Sequence, residues 1–360
     1  MMESGVVPAE DLRNLSVMGF LSVVWKLPRI LAVFFKLGRQ VRSFQPDLAI
    51  LIDFPDFHLR WVRFLNGIKV PTIYFIPPKL WAWRRRRIRI LQKRFSEVLC
   101  IFPFEKEFYS RNGILVQYVG NPLADQLPLS LTREEARARL GVLLHERALV
   151  IMAGSREAEL RKHLKILLES VLKLASLWGY SPEVPLKVLI PLPQGSDVSR
   201  FEQQIREMVG SRPEFSKLAC RISAGDAHVC MKAADFGVIK SGTSTLEAGL
   251  LGCPHVVVYA ASRYLVFIVR RIFSYKGPAG LVNLAPGLDR PRILPELIGD
   301  EVTVENVVTE VQKFFSDIAY RGRVEKELEQ LRVKMIEALE GISPSDQAAI
   351  RILKRLGLLK

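Results

Sequence analysis

From residue 47 onward the chain alternates short, β-branched apolar runs with longer stretches in which apolar residues recur at helical spacing. The runs "LAILID" (48–53), "PTIYFI" (71–76), "EVLCIF" (97–102) and "VQYVG" (116–120) read as one series of strands. "ALVIMAG" (148–154), "LKVLIPL" (186–192), "FGVIK" (236–240) and "HVVVY" (255–259) read as a second. Short, almost wholly apolar strands separated by helices belong in parallel sheets covered by crossover helices. The predicted fold class is therefore α/β, two Rossmann-like parallel-sheet domains facing a cleft. The prolines of "NPLADQLPLSLTREEARARLG" interrupt the rhythm and put the boundary near residue 128, giving domains 1–128 and 129–322. Residues 323–360, rich in Glu, Lys, Arg and Leu, read as helices that pack back on one domain or the other.

Residues 12–46 hold no acidic residue. At about 100° per residue, Phe20, Val23, Val24, Leu27, Ile30, Leu31, Phe34 and Phe35 share one helical face, and Lys26, Arg29, Lys36 and Arg39 the other. Pro28 bends or divides such a helix. Two readings stand: an interfacial helix whose Phe and Leu enter acyl chains while its cations meet anionic headgroups, or a helix packed on the first sheet. No run approaches the roughly 20 apolar residues of a spanning helix, and no signal-peptide pattern opens the chain.

Charge sharpens the first reading. Of the net +15, residues 1–100 contribute most, with 17 Lys and Arg against seven Asp and Glu, which calls for an anionic partner. The four cysteines form no CxxC pair and none of the five histidines has metal-ligand spacing, so the chain reads as reduced and cytoplasmic, without a metal.

The chemistry concentrates where strands end. In "FGVIKSGTSTLEAGLLG" a strand stops at Lys240 and a helix begins within Ser241–Thr245. A helix start exposes unpaired N–H groups and partial positive charge, which suits a phosphate. Gly242 permits close approach, and Ser241, Thr243, Ser244 and Thr245 supply more hydroxyls than one cap needs. Glu247, about one turn inside, suits the two hydroxyls of a ribose; the plainer reading is an over-supplied cap with an acid near the helix dipole. A second such turn follows "LVIMAG": Gly154 ends the strand, Ser155 begins a helix, and Arg156 is placed to pair with an anion. Neither turn is a P-loop or a full GxGxxG.

The ordered series "SVMGF", "PDLAILIDFPDFHLR", "YFIPPKLWAWRRRRIRIL", "FPFEKEFY", "VGNPLAD", "AGSREAEL", "SGTSTLEAGLLGCPHVVVY" and "ILPELIGDEVTVENV" resembles the lipid-A-disaccharide synthase family over nearly the whole chain. "WAWR" followed by "FPFEKxFY" is specific to that family, whereas "SGTxxLE" is shared among glycosyltransferases that use nucleotide sugars.

That resemblance implies GT-B architecture, a place on the cytosolic face of the Gram-negative inner membrane, and no metal or other cofactor. It implies transfer from UDP-2,3-diacylglucosamine to 2,3-diacylglucosamine 1-phosphate, with inversion and release of UDP, in lipid A biosynthesis. It also implies that Ser155 and Arg156 touch the diphosphate, that Ser241 to Thr245 surround it and that Glu247 holds the ribose. Asn283 in "GLVNLAPG" matches an Asn of a "PNLL"-like stretch, without its leading proline. Asn121 in "GNPLAD" stands where the family has His. A strand with a "GEASGD"-like turn is expected ahead of "SVMGF"; its absence reads as a misplaced start or a lost piece of the site.

Inverting transfer needs a base, and Asp56, just beyond Pro55 at the end of "LAILIDFPDF", is the first candidate, with Asp53 second. The alternative reading, stronger for Asp53 than for Asp56, has the carboxylate order the turn. The run from Arg84 and Arg85 to Arg89, after "WAW", reads as a solvated face, a stacking surface for single strands, or an anion contact; lipid headgroups or acceptor phosphate fit the resemblance, and nucleic acid does not. The alternatives kept are another GT-B enzyme acting on a membrane glycolipid, a UDP-sugar epimerase, and a non-catalytic UDP- or anionic-lipid-binding protein, with a homodimer left open.

Overall fold

The computed structural model describes residues 20–82, 85–154, 157–210, 213–268, 271, 275–336, 339 and 341–359; the side chains of 20–27, 85, 157–159, 161–162, 209 and 265 are outside this description. The chain divides into two compact units, the first made of Met1–Cys100, Lys106–Gln117 and Ala348–Lys360, the second of Ile101–Glu105 and Tyr118–Gln347.

The first unit contains α1 (Phe20–Phe44), β1 (Ala49–Ile52), α2 (Pro55–Gly67), β2 (Thr72–Phe75), α3 (Ile88–Arg94) and β3 (Glu97–Cys100). Helix α4 (Pro103–Arg111) straddles the division, and β4 (Val116–Tyr118) ends the first sheet, whose order is β1-β2-β3-β4. β1 pairs with β2, and β2 with β3, in parallel. Every residue of β3 is buried, and β2 is buried until Phe75, as central parallel strands require. α1 is held on α2 by an aromatic cluster: Phe34 packs on Trp61 with centroids 4.7 Å apart, and Trp61 stacks on Phe64 at 4.8 Å.

The second unit begins with α5 (Arg133–Leu140), β5 (Ala148–Met152), α6 (Glu157–Leu177), β6 (Leu186–Leu192), α7 (Val198–Val209) and β7 (Leu218–Ala224). It continues through α8 (Ala227–Ala233), β8 (Phe236–Lys240), α9 (Thr243–Leu250), β9 (His255–Tyr259), α10 (Arg263–Phe267), α11 (Leu281–Leu284) and β10 (Glu296–Ile298). α12 (Val304–Ser316) and α13 (Ile318–Met335) follow, and α14 (Pro344–Arg355) passes into the first unit at Ala348. The sheet order is β10-β9-β8-β5-β6-β7, with parallel pairing throughout. From β5 the chain builds outward through β6 to β7, then returns to the other side of β5 and builds outward through β8, β9 and β10. Strand order therefore reverses between β5 and β8.

The proline-rich segment is not a linker. Leu127 and Leu131 are buried in the second core, and Asn121 caps the turn Pro122–Gln126 by accepting from the Leu123 N–H at 3.1 Å. The second unit accordingly starts before residue 128. Residues 323–360 are likewise not one capping piece: Val324, Leu328, Leu331 and Met335 of α13 belong to the second core, whereas Ala348–Lys360 belong to the first unit.

A buried guanidinium ties α5 to the sheet. Arg137 donates to the carbonyls of Ala233, Leu143, Leu144 and Glu146 and, at 2.8 Å, to Asp235, whose carboxylate also accepts from the Ala148 N–H at 2.7 Å. Breaking a pair of this kind generally costs about 3–5 kcal/mol, because the abandoned charge stays buried.

Candidate functional site

The carboxyl ends of β5 and β8 flank the point where strand order reverses, the place at which open α/β sheets bind ligands. Both turns singled out in the sequence lie there. After β5, Gly154 has φ +122°, a backbone that favours glycine; Ser155 and Arg156 lie outside the described residues. After β8 come Ser241 and Gly242, and then α9, which no side chain caps. A Cβ on Gly242 would meet only the Lys240 carbonyl oxygen, at 4.0 Å, and its φ of 163° is ordinary extended backbone. Neither packing nor conformation therefore requires a glycine at this position.

The hydroxyls divide into two kinds. Ser241 Oγ donates to the Ala279 carbonyl at 2.8 Å. Thr245 is buried; its Oγ1 donates to the Gly242 carbonyl at 2.8 Å and accepts from the Leu281 N–H at 3.0 Å. These two tie the turn to the segment 279–281. Thr243, exposed, and Ser244, half-buried, make no side-chain hydrogen bond among the described residues.

Asn283, expected at the donor, is engaged within the protein. It is fully buried, its amide donates to the Leu294 carbonyl at 2.8 Å and to Glu296 at 2.9 Å, and its Oδ1 accepts from the Leu294 N–H at 2.9 Å. Glu296 in turn accepts from the N–H groups of Ala279 and Gly280, both at 2.9 Å. The Asn283–Glu296 pair thus supports the loop that the Ser241 and Thr245 hydroxyls grip.

Glu247 has a partner the sequence reading missed: His228 Nε2, from α8, lies 3.1 Å from its Oε2. No local signal joins residues nineteen positions apart on separate helices; only the sheet order brings them together. Lys240 closes this edge, its ammonium 5.5 Å from the centre of the Tyr259 ring. The buried His163 accepts from the Ala260 N–H at 2.8 Å.

In the first unit, backbone strain marks the same end of the sheet. Asp53 (φ 48°) and Phe54 (φ 45°) follow β1, and the β-branched Ile76 (φ 59°) follows β2. Non-glycine residues in the left-handed region are uncommon and cost roughly 1–3 kcal/mol each, and they gather at functional sites. The Asp53 carbonyl accepts from Tyr74 at 3.0 Å and pairs with His58 Nδ1 at 2.7 Å; burial lowers the His58 pKa, the hydrogen bond to Asp53 opposing it. The Nδ1–H of His58 donates to that carbonyl and steadies the strained turn. Asp56, in the first turn of α2, is exposed and pairs with Arg87 at 2.5 Å.

Arg84 is outside the described residues, and Arg85 is described in its backbone alone. Phe20, Val24 and Leu27 fall in α1, with side chains outside the description. Leu31 is exposed, whereas Phe34 faces α2. Among the described residues no helix is long and apolar enough to cross a membrane.

Two parallel-sheet α/β domains, the second with phosphate-suited turns at its switch point, define the GT-B class of glycosyltransferases and related epimerases. The model of the lipid-A-disaccharide synthetase family matches residues 1–350, and the chain belongs to that family. It is 36% identical over 334 residues to the lipid-A-disaccharide synthase of Myxococcus xanthus, covering 92% of this chain and 82% of the relative. It is 35% identical over 342 residues to that of Solibacter usitatus, with the same coverage. Among solved structures, the S. aureus MnaA–UDP co-structure superposes with a TM-score of 0.57 at 13% identity, over 97% of this chain and 86% of that one. UDP-GlcNAc 2-epimerase from Neisseria meningitidis bound to UDP-GlcNAc gives 0.52 at 13%, with the same coverage. At such identities these two establish the fold alone. Family membership makes the chain a glycosyltransferase of lipid A disaccharide synthesis.

Proposed function

We propose that the second unit binds the UDP part of a UDP-2,3-diacylglucosamine donor between the ends of β5 and β8, and that the sugar passes with inversion to 2,3-diacylglucosamine 1-phosphate, releasing UDP. The observation that carries this reading is the turn after β8: an uncapped helix start, open space at Gly242, and the unclaimed hydroxyls of Thr243 and Ser244, all at the reversal of strand order. Fixed amides and hydroxyls there stabilise the leaving diphosphate without reorganising during the reaction. Gly154, Ser155 and Arg156 complete the diphosphate site, and Glu247 accepts from the ribose. Asp56 takes the proton of the acceptor hydroxyl, with Asp53 as the alternative. The outward face of α1, where Leu31 and Phe35 lie among Arg29, Lys36 and Arg39, rests on an anionic membrane surface at the cytosolic side.

The test is a calorimetric titration of the protein with UDP, beside an assay with both acylated substrates. The expected results are a saturable heat and formation of a disaccharide 1-phosphate. No heat overturns the nucleotide site; heat without turnover leaves a binding protein.

A further inference from the structure

Resting on the assignment of Glu247 to the ribose, we propose that His228 is a positioning residue of the nucleotide site: it fixes the Glu247 carboxylate before the nucleotide arrives.

The geometry is specific. His228 lies in the first turn of α8, and Glu247 one turn inside α9, with Nε2 and Oε2 3.1 Å apart. Only 27% of the His228 side chain and 16% of the Glu247 side chain are accessible, so the bond is shielded from competing water. A glutamate side chain has rotamer freedom that must be lost when it engages a ligand, and a group that holds it beforehand removes that cost from binding. The ring N–H donates to Oε2 in the neutral Nε2–H tautomer and in the protonated ring alike, so the link does not depend on histidine charge. With one lone pair of Oε2 engaged, the carboxylate keeps acceptor sites on both oxygens for the hydroxyls of a ribose. His228 thus acts on ribose recognition and on nothing else in the nucleotide.

The experiment measures UDP affinity by calorimetry for the wild type, H228A, H228Q, E247A and the double variant H228A/E247A. 2′,3′-Dideoxyuridine diphosphate serves as a second probe, and thermal midpoints confirm that each variant is folded. H228A is expected to weaken UDP roughly tenfold, the usual worth of a hydrogen bond to a charged group. H228Q, which returns an N–H donor, should recover part of the loss, and H228A should bind the dideoxy nucleotide as the wild type does. In the E247A background, H228A should add nothing. UDP affinity unchanged in H228A, or equal losses for both nucleotides, or additive losses in the double variant, each overturn the inference while UDP binding by the wild type stands. Absence of wild-type binding overturns the nucleotide site itself, and the inference with it.

Discussion

Asp56 shows what a single residue gains from its surroundings. Pro55 starts α2 with a fixed backbone, the strained pair Asp53–Phe54 precedes it, and Arg87 meets the carboxylate at 2.5 Å. A carboxylate held this way has a set direction while staying open to solvent, which suits the proposed base. Asp56→Ala should lower transfer by about 100-fold or more, the usual contribution of a general base, with UDP affinity unchanged by calorimetry; equal loss of both would remove Asp56 as a specific base. At this scale the sequence was only partly legible. The crowd of hydroxyls in "SGTSTLE" announced a site, but whether each hydroxyl serves the ligand or the loop depends on partners far along the chain. Ser241 turns to Ala279 and Thr245 to Leu281, thirty-eight and thirty-six positions away. Asn283 is a similar case, since its amide is bonded to Leu294 and Glu296, eleven and thirteen positions away.

At the scale of elements, strands were easier to find than their neighbours. β6, β8 and β9 match their apolar runs residue for residue, because a strand buried on both faces must be apolar throughout. β7 escaped because it is an edge strand, where "LACRISA" alternates apolar with Cys, Arg and Ser; β10 has three residues, too few for any period. The wheel of α1 was legible as amphipathic, yet it merged two apolar faces. Phe34 belongs to the seam with Trp61, whereas Leu31 (47% exposed) and Phe35 (64%) look outward. The double substitution Leu31→Ser with Phe35→Ser should reduce co-sedimentation with anionic vesicles without lowering the thermal midpoint. Unchanged sedimentation would count against a membrane role for this face.

At the scale of the whole molecule, His255 gives folding a dependence on pH. This side chain is fully buried at the start of β9, with Nδ1 bonded to the Cys253 carbonyl at 2.9 Å and Nε2 without a partner among the described residues. Burial, opposed by that hydrogen bond, pushes its pKa down to about 4 from an ordinary 6.5. Between those values the unfolded chain binds a proton that the folded chain refuses, so His255 favours folding fully above pH 6.5 and progressively less as pH falls toward 4. The loss amounts to about 3 kcal/mol at most. Denaturant melts between pH 7 and pH 4.5 should show this slope, and His255→Asn should flatten it; an unaltered slope would assign the acid sensitivity elsewhere.

The first unit is discontinuous in sequence. Arg351 reaches Glu97 at 3.1 Å and Gln117 at 3.4 Å, joining the final helix to the sheet built from the earliest strands. During synthesis, β1 to β4 leave the ribosome long before that helix exists, and some 230 intervening residues have to be made first. The first unit is therefore begun before the second and completed after it, and until then Glu97, in a strand buried throughout, lacks the Arg351 cation.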